Sequence, residues 1–160
     1  MLFRSILGYR QIDRLYCHQA EAFVAARNRE HIVVTTGTAS GKSMTYLLPV
    51  LQSVIDDPSA RTLLLFPTKA LTQDQLRAVH LLAREIHGSP VLAGVYDGDT
   101  PPAERAWVRD NANLILTNPD MLNAALLPNH GRQGFAHIFR NRSEEHTSEL
   151  QSRGLISYAV

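Results

Sequence analysis

The chain has 160 residues, 44% of them hydrophobic and 19% charged, a globular balance in a length sufficient for one domain with a buried core. Sixteen Lys plus Arg against fifteen Asp plus Glu leave a net charge of +1, so no bulk basic field marks a polyanion partner and any nucleic-acid contact must come from a few placed groups. A single cysteine, Cys17, excludes a disulfide framework and a multi-cysteine zinc site in this chain. The apolar runs "TLLLFP" and "LILTNP" are too short to span a bilayer, and "MLFRSILGYRQIDR" lacks the pattern of an export signal. A cytoplasmic protein without membrane association is the expectation.

In chain order, "HQAEAFVAARN" (18–28) is predicted as a helix and "HIVVTT" (31–36) as a strand. "GKSMTYLLPVLQSVI" (41–55) follows as a helix that Pro49 is expected to kink or shorten. Next come strand "RTLLLF" (61–66), helix "ALTQDQLRAVHLLAREI" (70–86), strand "PVLAGVY" (90–96), helix "PPAERAWVRDN" (101–111) and strand "ANLILTN" (112–118). The strands are continuously apolar rather than alternating, which predicts burial on both faces. Strand–helix alternation of this kind specifies an α/β fold: a parallel sheet with helices on both faces, right-handed crossovers, and ligands at the carboxyl ends of the strands. Trp107 reads as a core residue on its helix. The last twenty residues break the pattern, and "RSEEHTSELQS" reads as a sequencing adapter translated in one frame. Residues 1–140 are therefore taken as the domain and 141–160 as a non-native tail.

The stretch Thr36-Gly37-Thr38-Ala39-Ser40-Gly41-Lys42-Ser43 matches the phosphate-loop pattern G-x-x-x-x-G-K-[ST] except for Thr36 at the first glycine position. The chemistry tolerates that change. Small residues let backbone N–H groups converge on phosphate oxygens, and the following helix presents its positive end. Lys42 supplies a point charge to the outer phosphates, and the Ser43 hydroxyl can ligate magnesium. Lys42 is thus the catalytic candidate. Upstream, Gln19 has an amide able to donate to and accept from an adenine edge, although by itself it reads as a solvated helix residue. Of the basic residues only Lys42 and Lys69 are lysines, and both fall within motifs. Seven scattered histidines (His18, His31, His80, His87, His130, His137, His146) show no ligand spacing.

Two further segments, "FPTKALTQDQL" (66–76) and "LTNPDML" (116–122), place Pro, Thr or Asn where a strand passes to a helix, a good site for a nucleic-acid phosphate. "YDGDTPPAER" (96–105) begins with a tight turn at which Gly98 is read as supplying permissive backbone. With "TGTASGKS", these segments resemble the first RecA-like domain of superfamily 2 DEAD/DEAH-box helicases, over residues 9–139. The nearest likeness is to bacterial DNA-repair helicases with a C-terminal zinc-binding domain. The resemblance implies ATP and Mg2+ as cofactors, with Gln19 reading adenine and residues 36–43 holding the phosphates. It implies a nucleic-acid partner, DNA rather than RNA, gripped by Pro67, Thr68, Lys69, Gly98, Thr117, Asn118, Pro119 and Asp120. Asp120 and Met121 stand where many relatives have Gly and Arg, which weakens a direct phosphate contact there.

The family also uses an acidic Asp-Glu strand to hold magnesium and a second RecA-like domain to supply arginines. The only adjacent Glu pair, Glu144-Glu145, lies in the adapter-like tail. The expectation is therefore a partial domain, truncated before the acidic strand. It would bind ATP without hydrolysing it or unwinding nucleic acid, and "HIVVTT" would carry an unpaired, aggregation-prone edge. The alternatives are a small P-loop phosphotransferase, for which no arginine-rich lid or catalytic carboxylate is found, and an inactive gene fragment.

Overall fold

The computed structural model describes residues 14–35, 37, 40–132 and 135–139, with the backbone of 156–158. Its centre is a parallel sheet. Strand β1 (Thr62–Leu65) pairs with β3 (Leu114–Thr117) in the register Thr62 to Leu114 through Leu65 to Thr117. On the far side of β3 lies β2 (Ala93–Val95). The fourth strand, β4 (Ile156–Tyr158), pairs with the other edge of β1, giving the order β2-β3-β1-β4.

The continuous apolar runs are explained by helices on both faces, since successive strand residues point to opposite sides. Leu64, Phe66, Leu114 and Leu116 face α2 (Ser43–Asp56) and α3 (Lys69–Arg84), packing with Leu48, Leu51, Val79 and Leu82. Leu63, Leu65 and Ile115 face the opposite side, where Val108 of α4 (Pro102–Asn111) covers them. Leu126 of a π-helical turn (Leu122–Leu126) and Ile138 of α6 (Ala136–Phe139) complete that layer. A short helix, α5 (Pro119–Met121), leads into the π-helical turn. Each fully buried leucine contributes about 1.5–3 kcal/mol by leaving water. Helix α1 (Cys17–Arg27) lies on α2, and an Arg27–Asp56 ion pair joins their C-terminal ends.

Polar residues fasten the end of the sheet away from the motifs. Arg61 donates to the carbonyls of Arg109 (3.3 Å), Asp110 (3.0 Å) and Ala112 (2.6 Å), satisfying acceptors that the end of α4 leaves open. The buried Asn113 accepts from Leu92 N at 2.8 Å and donates to Pro90 O at 2.7 Å, so the entrances to β2 and β3 are tied together.

Three expectations need correction. Residues 31–35 of the predicted first strand are irregular, with Val33 90% exposed, and residue 36 lies outside the described residues. Among the described strands none neighbours this segment, and without a ladder partner its apolar character cannot become a strand. Pro49 neither ends nor shortens α2, which runs through it to Asp56. The helix survives because Pro49 is buried in the core and tertiary packing outweighs the lost backbone hydrogen bond. Trp107 is 45% exposed, because α4 turns its neighbour Val108 to the sheet. Separately, the backbone of Ile156–Tyr158, within the segment read as a non-native tail, pairs with the open edge of β1.

One packing contact has no signature in hydrophobic patterning. A Cβ built on Gly94 would lie 2.5 Å from Cγ2 of Val108, so β2 and α4 approach only because residue 94 has no side chain. Gly94→Ala is expected to destabilise by roughly 1–3 kcal/mol through overpacking, with Val108→Ala in the same chain recovering part of the loss. Thermal unfolding of the three variants checks this; an unchanged midpoint for Gly94→Ala would show that α4 can shift freely.

Candidate nucleotide and nucleic-acid site

Because every strand is parallel, all the carboxyl ends lie along one edge of the sheet, and the motif segments leave from that edge. After β1 come Pro67, Thr68 and Lys69. Thr68 is the N-cap of α3, its hydroxyl accepting from Leu71 N at 3.3 Å. After β3, Asn118 caps α5 by accepting from Met121 N at 2.8 Å, and Pro119 occupies the first turn, where its missing N–H costs nothing. Both strand-to-helix junctions thus use a short polar side chain as cap. Pro67, Thr68, Lys69 and Asp120 are exposed, whereas Asn118 and Pro119 are half-buried. Thr117 is fully buried, and its hydroxyl donates to Tyr96 O at 2.5 Å, so this side chain ties β3 to β2 rather than facing outward.

The turn after β2 is built around Asp97. Its Oδ1 accepts from Asp99 N (3.0 Å), Thr100 N (2.8 Å) and Thr100 Oγ1 (2.7 Å). Burial pushes the Asp97 carboxyl pKa up, but the bonds from Thr100 and Asp99, with the charge of Lys69, outweigh it and hold the pKa below the usual aspartate value. Gly98 is exposed, has no positive φ, and would meet nothing with an added Cβ. The permissive-backbone reading of Gly98 is therefore replaced: the Asp97 side chain shapes the turn. Next to it, Asp99 forms an ion pair with Lys69, joining the turn after β2 to the start of α3. That carboxylate keeps the Lys69 ammonium pKa above its ordinary value.

At the start of α2, Gly41 has φ +75°, a left-handed conformation that favours glycine. An added Cβ there would also meet Nε2 of Gln19 at 2.6 Å. Gln19 is buried, not solvated: it donates to Gly41 O at 3.0 Å and accepts from Tyr16 N at 3.1 Å. Beside it, His18 Nε2 lies 3.1 Å from Ser40 O and its ring stacks on Tyr16. Helix α1 therefore holds two consecutive residues of the loop. Lys42 donates to Gly37 O at 2.9 Å, folding its ammonium back over the loop. Thr36, Thr38 and Ala39 lie outside the described residues. The Tyr46 hydroxyl donates to Gln75 of α3 at 2.6 Å; burial raises the Tyr46 pKa, against a smaller lowering by the nearby Ser43 side chain.

Sequence reasoning passed over His18, Tyr46, Gln75, Asp97 and Asp99. The Asp-x-x-Thr spacing of 97–100 is a side-chain-to-backbone turn signature that was available; the others depend on contacts between distant segments. Among the described residues no cluster of His, Cys, Asp or Glu has metal-binding geometry, and no helix is long and apolar enough to cross a membrane.

A phosphate-type loop before a helix, with capped helix starts along the carboxyl edge of a parallel sheet, defines a RecA-like nucleotide-binding domain. The DEAD/DEAH box helicase family model matches residues 16–149, and the chain belongs to that family. It is 46% identical over 138 residues to the uncharacterized ATP-dependent helicase YprA of Bacillus subtilis, covering 86% of this chain and 18% of that protein. It is 43% identical over 119 residues to the ATP-dependent helicase HRQ1 of Saccharomyces cerevisiae, covering 74% of this chain and 11% of that one. The crystal structure of the helicase MrfA bound to DNA superposes with a TM-score of 0.80 at 45% identity, over 86% of this chain and 19% of MrfA. MrfA bound to DNA and AMPPNP gives the same score. The chain thus spans less than a fifth of the length of these relatives.

Asp97→Asn keeps the shape of the turn and removes its charge. A carboxylate whose folded pKa is depressed contributes stability above its unfolded value, about pH 4, and loses it as pH falls through the folded value. The variant is therefore expected to be less stable than the parent at neutral pH, with the gap closing below about pH 4. Urea unfolding as a function of pH measures this, and a pH-independent gap would assign the effect to shape alone.

Proposed function

We propose that residues 1–140 are the ATP-binding, N-terminal part of an ATP-dependent helicase that acts on DNA, and that 141–160 form no part of its working domain. The observation that carries this reading is the bracing of the loop at Gly41 by α1 in a chain whose other motifs share one sheet edge. In it Lys42 would pair with the outer phosphates and the N–H groups at the start of α2 would face phosphate oxygens. The Ser43 hydroxyl would ligate Mg2+. Thr36, Thr38, Ala39 and Ser40 would complete the cradle, and Gln19 would read adenine if its amide is released from Gly41 O and Tyr16 N.

The donors fit the group: an ammonium, a hydroxyl, and a glycine in the left-handed conformation that strand-to-helix phosphate loops require. When bound, Mg-ATP supplies the phosphoanhydride whose cleavage powers a helicase. Pro67, Thr68, Lys69, Gly98, Thr117, Asn118, Pro119 and Asp120 form the nucleic-acid edge. Within it Thr117 acts from beneath by holding β2 and β3 together, and Lys69 supplies the charge. DNA rather than RNA is supported by MrfA, whose structure contains DNA. This chain by itself would bind ATP without turning it over, because the acidic strand and second RecA-like domain used for hydrolysis are not recognisable in its sequence.

Two measurements test the reading. Titration calorimetry with Mg-ATP should show binding by the 160-residue chain that Lys42→Ala abolishes, and in the full-length helicase the same change should remove hydrolysis; unaltered turnover would exclude the loop assignment. Lys69→Ala in the full-length helicase should weaken single-stranded DNA binding with little sequence dependence and reduce the salt slope by up to about one unit. Equal affinity for both proteins across the salt range would remove Lys69 from the interface.

A further inference from the structure

The Lys69–Asp99 ion pair sits within the proposed nucleic-acid edge and opposes what that edge is for. Lys69 begins α3, where the first-turn N–H groups and the helix dipole already favour a phosphate. Yet its ammonium is held by a carboxylate from the neighbouring strand-end turn.

The pair is not needed to hold the fold together. Its side chains are 56% and 73% exposed, and ion pairs that open to water contribute little to stability. Nor does Asp99 arrive on a loose loop. Its own N–H is bonded to Asp97 Oδ1 at 3.0 Å, and Thr100 on its other side is bonded to the same oxygen through N and Oγ1. Thr100 Oγ1 also lies 3.4 Å from Val95 O, within the strand itself. The backbone of residue 99 is therefore fixed at the sheet edge, and its carboxylate stays at a high effective concentration beside Lys69.

We infer that Asp99 is a built-in competitor for nucleic-acid phosphate at Lys69, a residue that sets how tightly and how salt-dependently the helicase holds its strand. This rests on the reading of Lys69 as a phosphate contact. A phosphate reaching Lys69 must displace the Asp99 carboxylate, and the displaced charge remains nearby and repels it. The displaced carboxylate also takes up a cation from solution, which offsets the counterion released from the nucleic acid. A lysine carrying its own carboxylate therefore adds less to the salt dependence of binding than a free one. The device would loosen the grip at this contact, which suits a protein that must release and re-engage the same strand.

The test is a four-protein comparison in the full-length helicase: parent, Asp99→Asn, Lys69→Ala and the double variant, each titrated against a fluorescent single-stranded oligonucleotide at several salt concentrations. Asp99→Asn should tighten binding roughly two- to fivefold at low salt. It should also steepen the slope of log affinity against log salt by up to about 0.7, while leaving the thermal midpoint near that of the parent. In the Lys69→Ala background the same substitution should change affinity by less than half that factor. Weaker or unchanged binding by Asp99→Asn would overturn the inference, making the carboxylate a support for Lys69 or a bystander. Equal tightening in both backgrounds would also overturn it, leaving only a general repulsive field. Unchanged binding by Lys69→Ala alone would remove the underlying reading, a result visible separately from the Asp99 arm.

Discussion

The constraint on which the structure depends is that a parallel sheet must be covered on both faces. Parallel strands cannot be joined by tight hairpins, so each connection is a crossover, here carried by α3 and α4. Those helices bury Leu64 and Leu116 on one side and Leu63 and Ile115 on the other. The same constraint orients every strand alike, so every strand leaves the sheet at one edge. Chemistry carried by segments far apart in sequence is thereby collected along a single line, at positions where a helix N-terminus already favours anions.

Along that line the polar residues do two kinds of work. Thr68, Asn118 and Asp97 spend their side chains on neighbouring backbone N–H groups, and so fix the shape of the edge. Lys69 and Asp99 oppose each other across it. The nucleotide loop is shaped differently, from outside: α1 reaches it through Gln19 and His18, and the loop's glycine is required both by its positive φ and by the approach of the Gln19 amide. One turn after the loop, Tyr46 of α2 bonds Gln75 of α3, the helix whose first residue is Lys69. That bond ties together the two helices that begin at the two halves of the proposed site.

Three of the four strands inferred from apolar runs are present within a few residues of their predicted ends, as are the four main helices, because burial on both faces leaves a plain signature. "HIVVTT" has the same signature and is irregular over residues 31–35, since a strand also needs a partner and patterning does not report one. Pro49 and Trp107 were misjudged for related reasons. A proline buried in α2 is tolerated by its packing, and a tryptophan one position from the face that meets the sheet is left outside. Gln19, Gly94 and Gly98 show the limit most clearly. Gln19 reads as a solvated residue until Gly41 is set beside it, Gly94 is unremarkable until Val108 is packed on it, and the role assigned to Gly98 belongs to Asp97.

The sequence by itself determined the α/β class and the helicase family, because these follow from periodicity and from short runs whose chemistry is local. Only the tertiary structure decided which residues brace the loop and that Lys69 is met by a carboxylate. Those are contacts between segments twenty to thirty residues apart. The contact of Lys69 with Asp99 exists only once the parallel sheet has brought the ends of β1 and β2 to the same edge.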